Sequence, residues 1–375
     1  MPSEHDAQRD WEAFLLDCQK RAQAIPRALV SCRPILVFGV GSFGRDLCTA
    51  LRACGLEVQG FVESQPRQAS ALGLPVLSWD QARETLATAQ LVIGVFNRDA
   101  PLNHLHALAS DAGFQDIFMP WDVYDLVREK MGWRYWLEAS SFLAEHASLL
   151  EKTYWALADA PSRQCLLDLC RFRMGLLPDY AAFVHSDAQY FNSITLKALP
   201  TEPAVYVDGG AYNGDTLIEF SKQHAVEVAY LFEPGQQNFA QLRHQCRDVN
   251  FPAVCLPLAL SSGYEMLGFH DGNGEAGVIG QAGGSTIASV ALDDVVHGKR
   301  LDFLKLDVEG AEVAALEGAS ALIARDRPVL ALSLYHHPHD LWEIPAKVLS
   351  LCADYRLFLR QHHANSFDAV LYAVV

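Results

Sequence analysis

No Cys-x-x-Cys pair occurs in this chain, although it has nine cysteines: Cys18, Cys32, Cys48, Cys54, Cys165, Cys170, Cys246, Cys255 and Cys352. Zinc ribbons and dithiol redox centres need that short spacing, so neither is indicated. The odd number, and the apolar runs around several of them, read as reduced thiols in a cytoplasmic protein. Basic residues are also scarce, 29 Lys and Arg against 45 Asp and Glu, for a net charge of −16. Nucleic acid and anionic lipid both require a basic surface, which argues against nucleic acid as the main partner and against electrostatic docking on membranes. The acidic excess is expected to serve solubility. No apolar run reaches membrane-spanning length, and Glu4, Asp6, Asp10 and Glu12 make the first residues too polar for a signal peptide. No internal repeat and no glycine-serine linker is found.

What is present is an alternation of short apolar runs and helical patterns over 375 residues, half of them hydrophobic. That length allows two domains, and the alternation implies parallel sheets. Trp11 to Val30 reads as an amphipathic helix with Trp11, Phe14, Leu15 and Cys18 on one face. From Pro34 an α/β unit begins: a strand Ile35–Phe38, a glycine turn, a helix through Cys54, then strands near Val58–Val62, Leu91–Val95 and Asp116–Met119. Residues 122–200 turn helical and aromatic. The expected organisation is a helix over 1–33, a Rossmann-like domain over 34–121, a helical connector over 122–200 packed on both domains, and a second α/β domain over 201–375.

The second domain opens with the most informative stretch, Val205 to Thr216. It reads as a buried strand ending in Asp208, a turn through Gly210 and Gly214, and a helix start. Glycines without a Cβ let a ligand lie against the backbone. The next strand, Val228 to Phe232, ends in Glu233 and Pro234, and an acid there can accept both hydrogen bonds of a ribose diol. Leu301 to Glu312 supplies a third piece. Together they form a nucleoside-binding half-fold.

These segments resemble the FkbM-type S-adenosylmethionine-dependent methyltransferases. The resemblance is carried by VDGGAYNGDT, YLFEPGQQNF, the LPLALS segment around Ser261, the VALDDVV segment around Asp293, and LDFLKLDVEGAEVAALEGA, in the family's order, from about Asp187 to the C-terminus. It departs from the broader pattern at Tyr212, where many members have glycine. The resemblance implies a class I methyltransferase fold behind a Rossmann-like N-terminal domain, with S-adenosylmethionine bound by Asp208, Gly210, Ala211, Gly214, Asp215, Thr216, Glu233, Pro234, Ser261 and Asp307. In that reading Asp208 attracts the cofactor's ammonium, directly or through water. Amides near Gly214 and Asp215 suit its carboxylate. Glu233 takes the ribose, and adenine lies near Ser261. A Tyr190–Phe191 pair stands where it can fold over the cofactor as a lid or serve as core.

Methyl transfer to an alcohol needs a base for the departing proton. Two segments can supply it: Asp307 and Glu309, with Glu312 behind them, and the run Tyr335-His336-His337-Pro338-His339. The expected catalytic residues are therefore His336, His337, Asp307 and Glu309. The same groups could bind a divalent metal, Mg²⁺ or Mn²⁺. Alternatively, Glu309 and Glu312 only cap the following helix. Seven glycines between Gly268 and Ser285, with His270 and Asp271, suggest a mobile hairpin or loop at the rim.

Two other functions stay open. Gly39-x-Gly41-x-x-Gly44 followed by Glu63 is a formal dinucleotide fingerprint. It would suit a nicotinamide-dependent oxidoreductase, although no catalytic tyrosine–lysine pair supports one, or it is a scaffold that has lost its nucleotide. The chain could also be a non-catalytic nucleotide-sugar or partner-binding module. The expected partner is a small-molecule or glycan acceptor, with a homo-oligomer left open.

Overall fold

The computed structural model describes the chain except residues 1–3, 25–26, 87, 178–183, 271–277 and 280–284. The described chain divides into two compact units. One comprises Met1–Glu151, Gln164–Val184 and His363–Phe367; the other comprises Lys152–Arg163, His185–His362 and Asp368–Val375.

The first unit holds strands β1 (Ile35–Phe38), β2 (Val58–Val62), β3 (Ser70–Ala71), β4 (Leu74–Leu77), β5 (Gln90–Ile93) and β6 (Ile117–Phe118). Their order in the sheet is β3-β4-β2-β1-β5-β6. Every pair is parallel except β3–β4. β1 and β5 are buried along their whole length. Strands of a parallel sheet are covered on both faces, which is why they read as unbroken apolar runs. The first helix spans Glu4–Gln23, earlier than the expected Trp11 to Val30, and buries Ala7, Trp11, Phe14 and Cys18.

The residues of the connector expected over 122–200 are divided between the two units. Trp121, Trp136 and Phe172 meet edge to face in the first unit. Asp159 instead joins Arg360 in the second, Oδ2 to Nη2 at 2.7 Å. The boundary near the C-terminus is likewise broken. Asn365 accepts a hydrogen bond from the Leu102 amide at 2.9 Å and donates to the carbonyls of Asn97 and Ala100 at 2.6 and 2.7 Å. The Trp136 indole donates to the Asn365 carbonyl at 2.8 Å. Those bonds place residues 363–367 in the first unit.

The second unit contains β7 (Ala204–Gly209), β8 (Val226–Phe232), β9 (Ala253–Leu256), β10 (Ala259–Leu260), β11 (Glu265–His270), β12 (Val278–Ile279), β13 (Ser285–Val290), β14 (Phe303–Leu306), β15 (Val329–Ser333), β16 (Arg356–Gln361) and β17 (Ala369–Val374). Seven form the main sheet, β16-β17-β15-β14-β7-β8-β9, and four a smaller one, β10-β13-β11-β12. In the main sheet β17 runs antiparallel to both neighbours and the other pairs are parallel. The chain builds outward from β7 to β9 and then returns to β14 on the other side. Between β7 and β14 the order reverses, and open α/β sheets bind ligands at the carboxyl ends beside such a reversal. Beneath it Phe191, Tyr206, Phe220 and Phe303 pack with centroids 4.7 to 6.3 Å apart. Phe191 is thus core and not a lid. In the glycine-rich stretch, Gly268 and His270 belong to β11. Asp271 and Gly272, Gly274, Gly277, Gly280, Gly283 and Gly284 lie outside the described residues.

Candidate active site

The turn after β7 is held by close approach. Gly210 is left-handed at φ 76°, and a Cβ there would lie 1.9 Å from the Asp307 carbonyl oxygen. Only glycine fits that contact. Tyr212 is left-handed too, at φ 48°, and its amide donates to Glu233 Oε2 at 2.9 Å. The Gly235 amide donates to the other oxygen at 2.8 Å. Glu233 is 6% exposed. Burial lifts its pKa, and the two amides pull it back. The end of β8 therefore carries a carboxylate clamped in one orientation. Pro234, Gln236, Pro257, Thr286 and Ile287 line a groove beside it. Ser261 is not among the groove's residues. Its hydroxyl donates to Glu265 Oε1 at 3.1 Å, and a Cβ on Gly318 would stand 2.0 Å from its carbonyl. Ser261 is a packing residue of the small sheet.

Two further expectations need correction. Asp208 is fully buried, with Oδ1 2.9 Å from Lys305 Nζ and Oδ2 accepting from the Tyr206 hydroxyl at 3.0 Å. Lys305 also donates to the Gly210 carbonyl at 2.8 Å. Burial raises Asp208 to about 6 against the pull of Lys305, so the pair is ionised at neutral pH. An internal cation already holds the place meant for the cofactor's ammonium. The helix-start amides are occupied as well. Gly214 N–H donates to Ala211, Asp215 N–H to Asn213 Oδ1 and Thr216 N–H to Asp215 Oδ1, at 2.8, 3.0 and 2.8 Å. The side chains of Asn213 and Asp215 thus take two of these amides, and Ala211 is buried.

The acid and histidine segments do converge. Asp307 follows β14 and accepts from the hydroxyls of Tyr335 and Tyr190, at 3.0 and 3.2 Å. Burial would raise its pKa, but Lys305 and His336 win and lower it. His336 follows β15 and is fully buried. Its Nδ1 lies 2.9 Å from Glu312 Oε1, and its Nε2 lies 3.5 Å from Asp307 Oδ1 and from Glu309 Oε2. Burial would strip its proton, yet Glu312, Glu309 and Asp307 outweigh burial and raise it to about 10. A buried imidazolium cannot accept a proton, so His336 does not fit the base it was expected to be. His337 packs against Gly310, where a Cβ would lie 2.5 Å from Nε2, and stacks on His339 at 4.9 Å. Burial, with His339, lowers it to about 4, so it is neutral and weakly basic. The side chains of Asp307 and Glu309 are 23% and 20% exposed. Both carboxylates therefore reach solvent in part.

Sequence reasoning missed Lys305 as a site residue. Its signal was a charge inside an apolar strand, two residues before Asp307 and so on the same face.

Residues 208–366 match the family model described as the methyltransferase FkbM domain. The crystal structure of an FkbM methyltransferase from Methylobacillus flagellatus KT shares its fold, with a TM-score of 0.74 at 21% identity over 98% of this chain and 100% of that one. An rRNA methylase from Streptococcus thermophilus matches 48% of this chain and 89% of its own at 14% identity, with a TM-score of only 0.30. A precorrin-6y C5,15-methyltransferase from Geobacter metallireducens GS-15 gives the same score at 12% identity, over 51% and 93%. No curated protein matches the chain. The matched segment runs from β7 to beyond β16 and contains Asp208, Glu233, Asp307, Glu309 and His336. Among the described residues no helix is long and apolar enough to cross a membrane.

The N-terminal glycine turn is built differently. A Cβ on Gly39 would lie 2.5 Å from Val95 Cγ2, and one on Gly44 2.2 Å from the Gly39 carbonyl, whereas Gly41 has open space. Two of the three fingerprint glycines are thereby engaged in packing the turn onto its own sheet.

Proposed function

We propose that the FkbM domain transfers a methyl group from S-adenosylmethionine to a hydroxyl, with a sugar or glycoconjugate as acceptor. The observation that carries the cofactor is Glu233, whose two oxygens are fixed by the amides of Tyr212 and Gly235 beside a groove at the end of β8. A carboxylate held that way is preorganised for a ribose diol. The sulfonium supplies the chemical activation when bound. The chain must orient the acceptor and take its proton, which falls to the exposed carboxylates of Asp307 and Glu309. The acceptor class rests on the family resemblance.

Calorimetry of the full chain with S-adenosylmethionine and S-adenosylhomocysteine tests the reading, with NAD and UDP-sugars as competitors for the other functions. Both sulfur ligands should bind. Glu233→Ala should weaken them by about 1.5–3 kcal/mol for each lost charge-assisted bond. Unchanged affinity in the folded variant would remove Glu233 from the site, and tight NAD binding without the sulfur ligands would sink the assignment.

A further inference from the structure

We propose that His336 and the carboxylates around it form a site for one divalent cation of the Mn²⁺ class at the carboxyl edge of the main sheet. The ring is presented as metal-binding imidazoles are, one nitrogen fixed by a carboxylate and the other turned toward donors. Glu312 does the fixing. Its Oε1 lies 2.9 Å from His336 Nδ1 and is itself anchored by the Val308 amide at 2.8 Å. On the other side Nε2 stands 3.5 Å from both Asp307 Oδ1 and Glu309 Oε2. Donors that share one ion at about 2.1 Å stand roughly 3.0–3.5 Å apart, so this spacing suits a common ion. Ligand atoms of Asp307, Glu312 and His336 all lie within 4.8 Å of one another.

A second observation points the same way. Glu312 Oε2 is buried and has no hydrogen-bond partner among the described residues. A buried carboxylate oxygen left over costs free energy unless a cation lies nearby. Three carboxylates surround one imidazole. A divalent ion bound among them displaces the Nε2 proton to solvent. One imidazole with carboxylates suits Mn²⁺ better than Mg²⁺, which favours an all-oxygen shell. The partial exposure of Asp307 and Glu309 leaves room for an acceptor hydroxyl on the ion. That last use rests on the proposed methyl transfer; binding of the ion does not.

The test is Mn²⁺ titrated into the metal-stripped full chain, read by the loss of the free-ion paramagnetic resonance signal. One ion per chain is expected, with an imidazole-nitrogen coupling in the pulsed spectrum. His336→Gln should abolish the coupling, and Glu312→Gln should weaken binding about 10–100-fold. Glu309→Gln changes a partly exposed group, so it keeps the test valid if the buried variants fail to fold. It should weaken the ion at least tenfold. The proposal is overturned by no binding at millimolar Mn²⁺, by a bound ion without nitrogen coupling, or by unchanged affinity in Glu309→Gln. Calorimetry with S-adenosylhomocysteine on the same stripped chain separates the two readings: ion without cofactor binding removes the methyl-transfer assignment, and cofactor without ion removes only this one.

Discussion

Asp208 and Lys305 show how a single charge changes the meaning of its neighbour. Each is almost wholly buried, and their separation of 2.9 Å leaves neither without the other. Removing one partner of a buried pair strands the second charge, at about 3–5 kcal/mol. Lys305→Met should therefore lower the unfolding free energy by that order, and Lys305→Met with Asp208→Asn should recover most of it. Denaturant unfolding of the three chains decides, because additive losses would mean that the residues do not act as a pair. His336 makes a second prediction, about pH. Its folded-state pKa is raised from 6.5 to about 10, so its stabilising contribution is complete below pH 6.5 and fades as pH climbs toward 10. Over that window the native state holds one proton more than the unfolded state. Unfolding of the metal-free chain should show this negative slope, and His336→Asn should flatten it. His337 has the opposite sign: lowered to about 4, its neutral form stabilises the chain above pH 6.5, and that share is lost between 6.5 and 4.

At the scale of elements, the two glycine turns look alike in sequence and differ in what they tolerate. Gly210 has a left-handed backbone and a carbonyl where a Cβ would go; Gly41 has φ −65° and open space. Gly210→Ala should unfold the turn and abolish cofactor binding, whereas Gly41→Ala should shift stability by less than about 0.5 kcal/mol. Equal melting temperatures for both variants would show that the contact drawn at Gly210 relaxes. Most of the framework could be read in advance because β1, β2, β7, β8, β14 and β15 are covered on both faces and show it as apolar runs. β16 could not, since it carries Arg360 and Gln361 into the interior, where Asp159 and Ser162 meet the guanidinium at 2.7 Å. The small sheet has short strands, and β13 shows only a mixed burial pattern, so periodicity had little to find. Within the site, residue types and positions were legible and charge states were not. Glu233 and Asp307 stand at strand ends, as their spacing implied. Whether Asp208 faces a ligand or a lysine depends on the register of β14 against β7, where Lys305 pairs with Asp208.

For the whole molecule, the interleaving of segments matters more than the count of folds. Asn365 closes three backbone groups of the first unit, at Leu102, Asn97 and Ala100. Asn365→Ala would leave a buried amide and two carbonyls open, at about 1–3 kcal/mol for each group that water does not reach. A fall in unfolding free energy of that order, monitored by a fluorescence change of Trp136, checks it; no change would mean that water replaces the side chain.

The placement of residues 363–367 also fixes an order in time. A ribosome finishes Val184 and must add roughly 180 residues before His363 and the segment behind it emerge. At roughly 5–20 residues per second that is a delay on the order of ten to thirty seconds. During it the first unit waits without its last piece, the Leu102 amide lacking its acceptor and the Trp136 indole its carbonyl. The first unit thus receives its last segment only after most of the second has been synthesised.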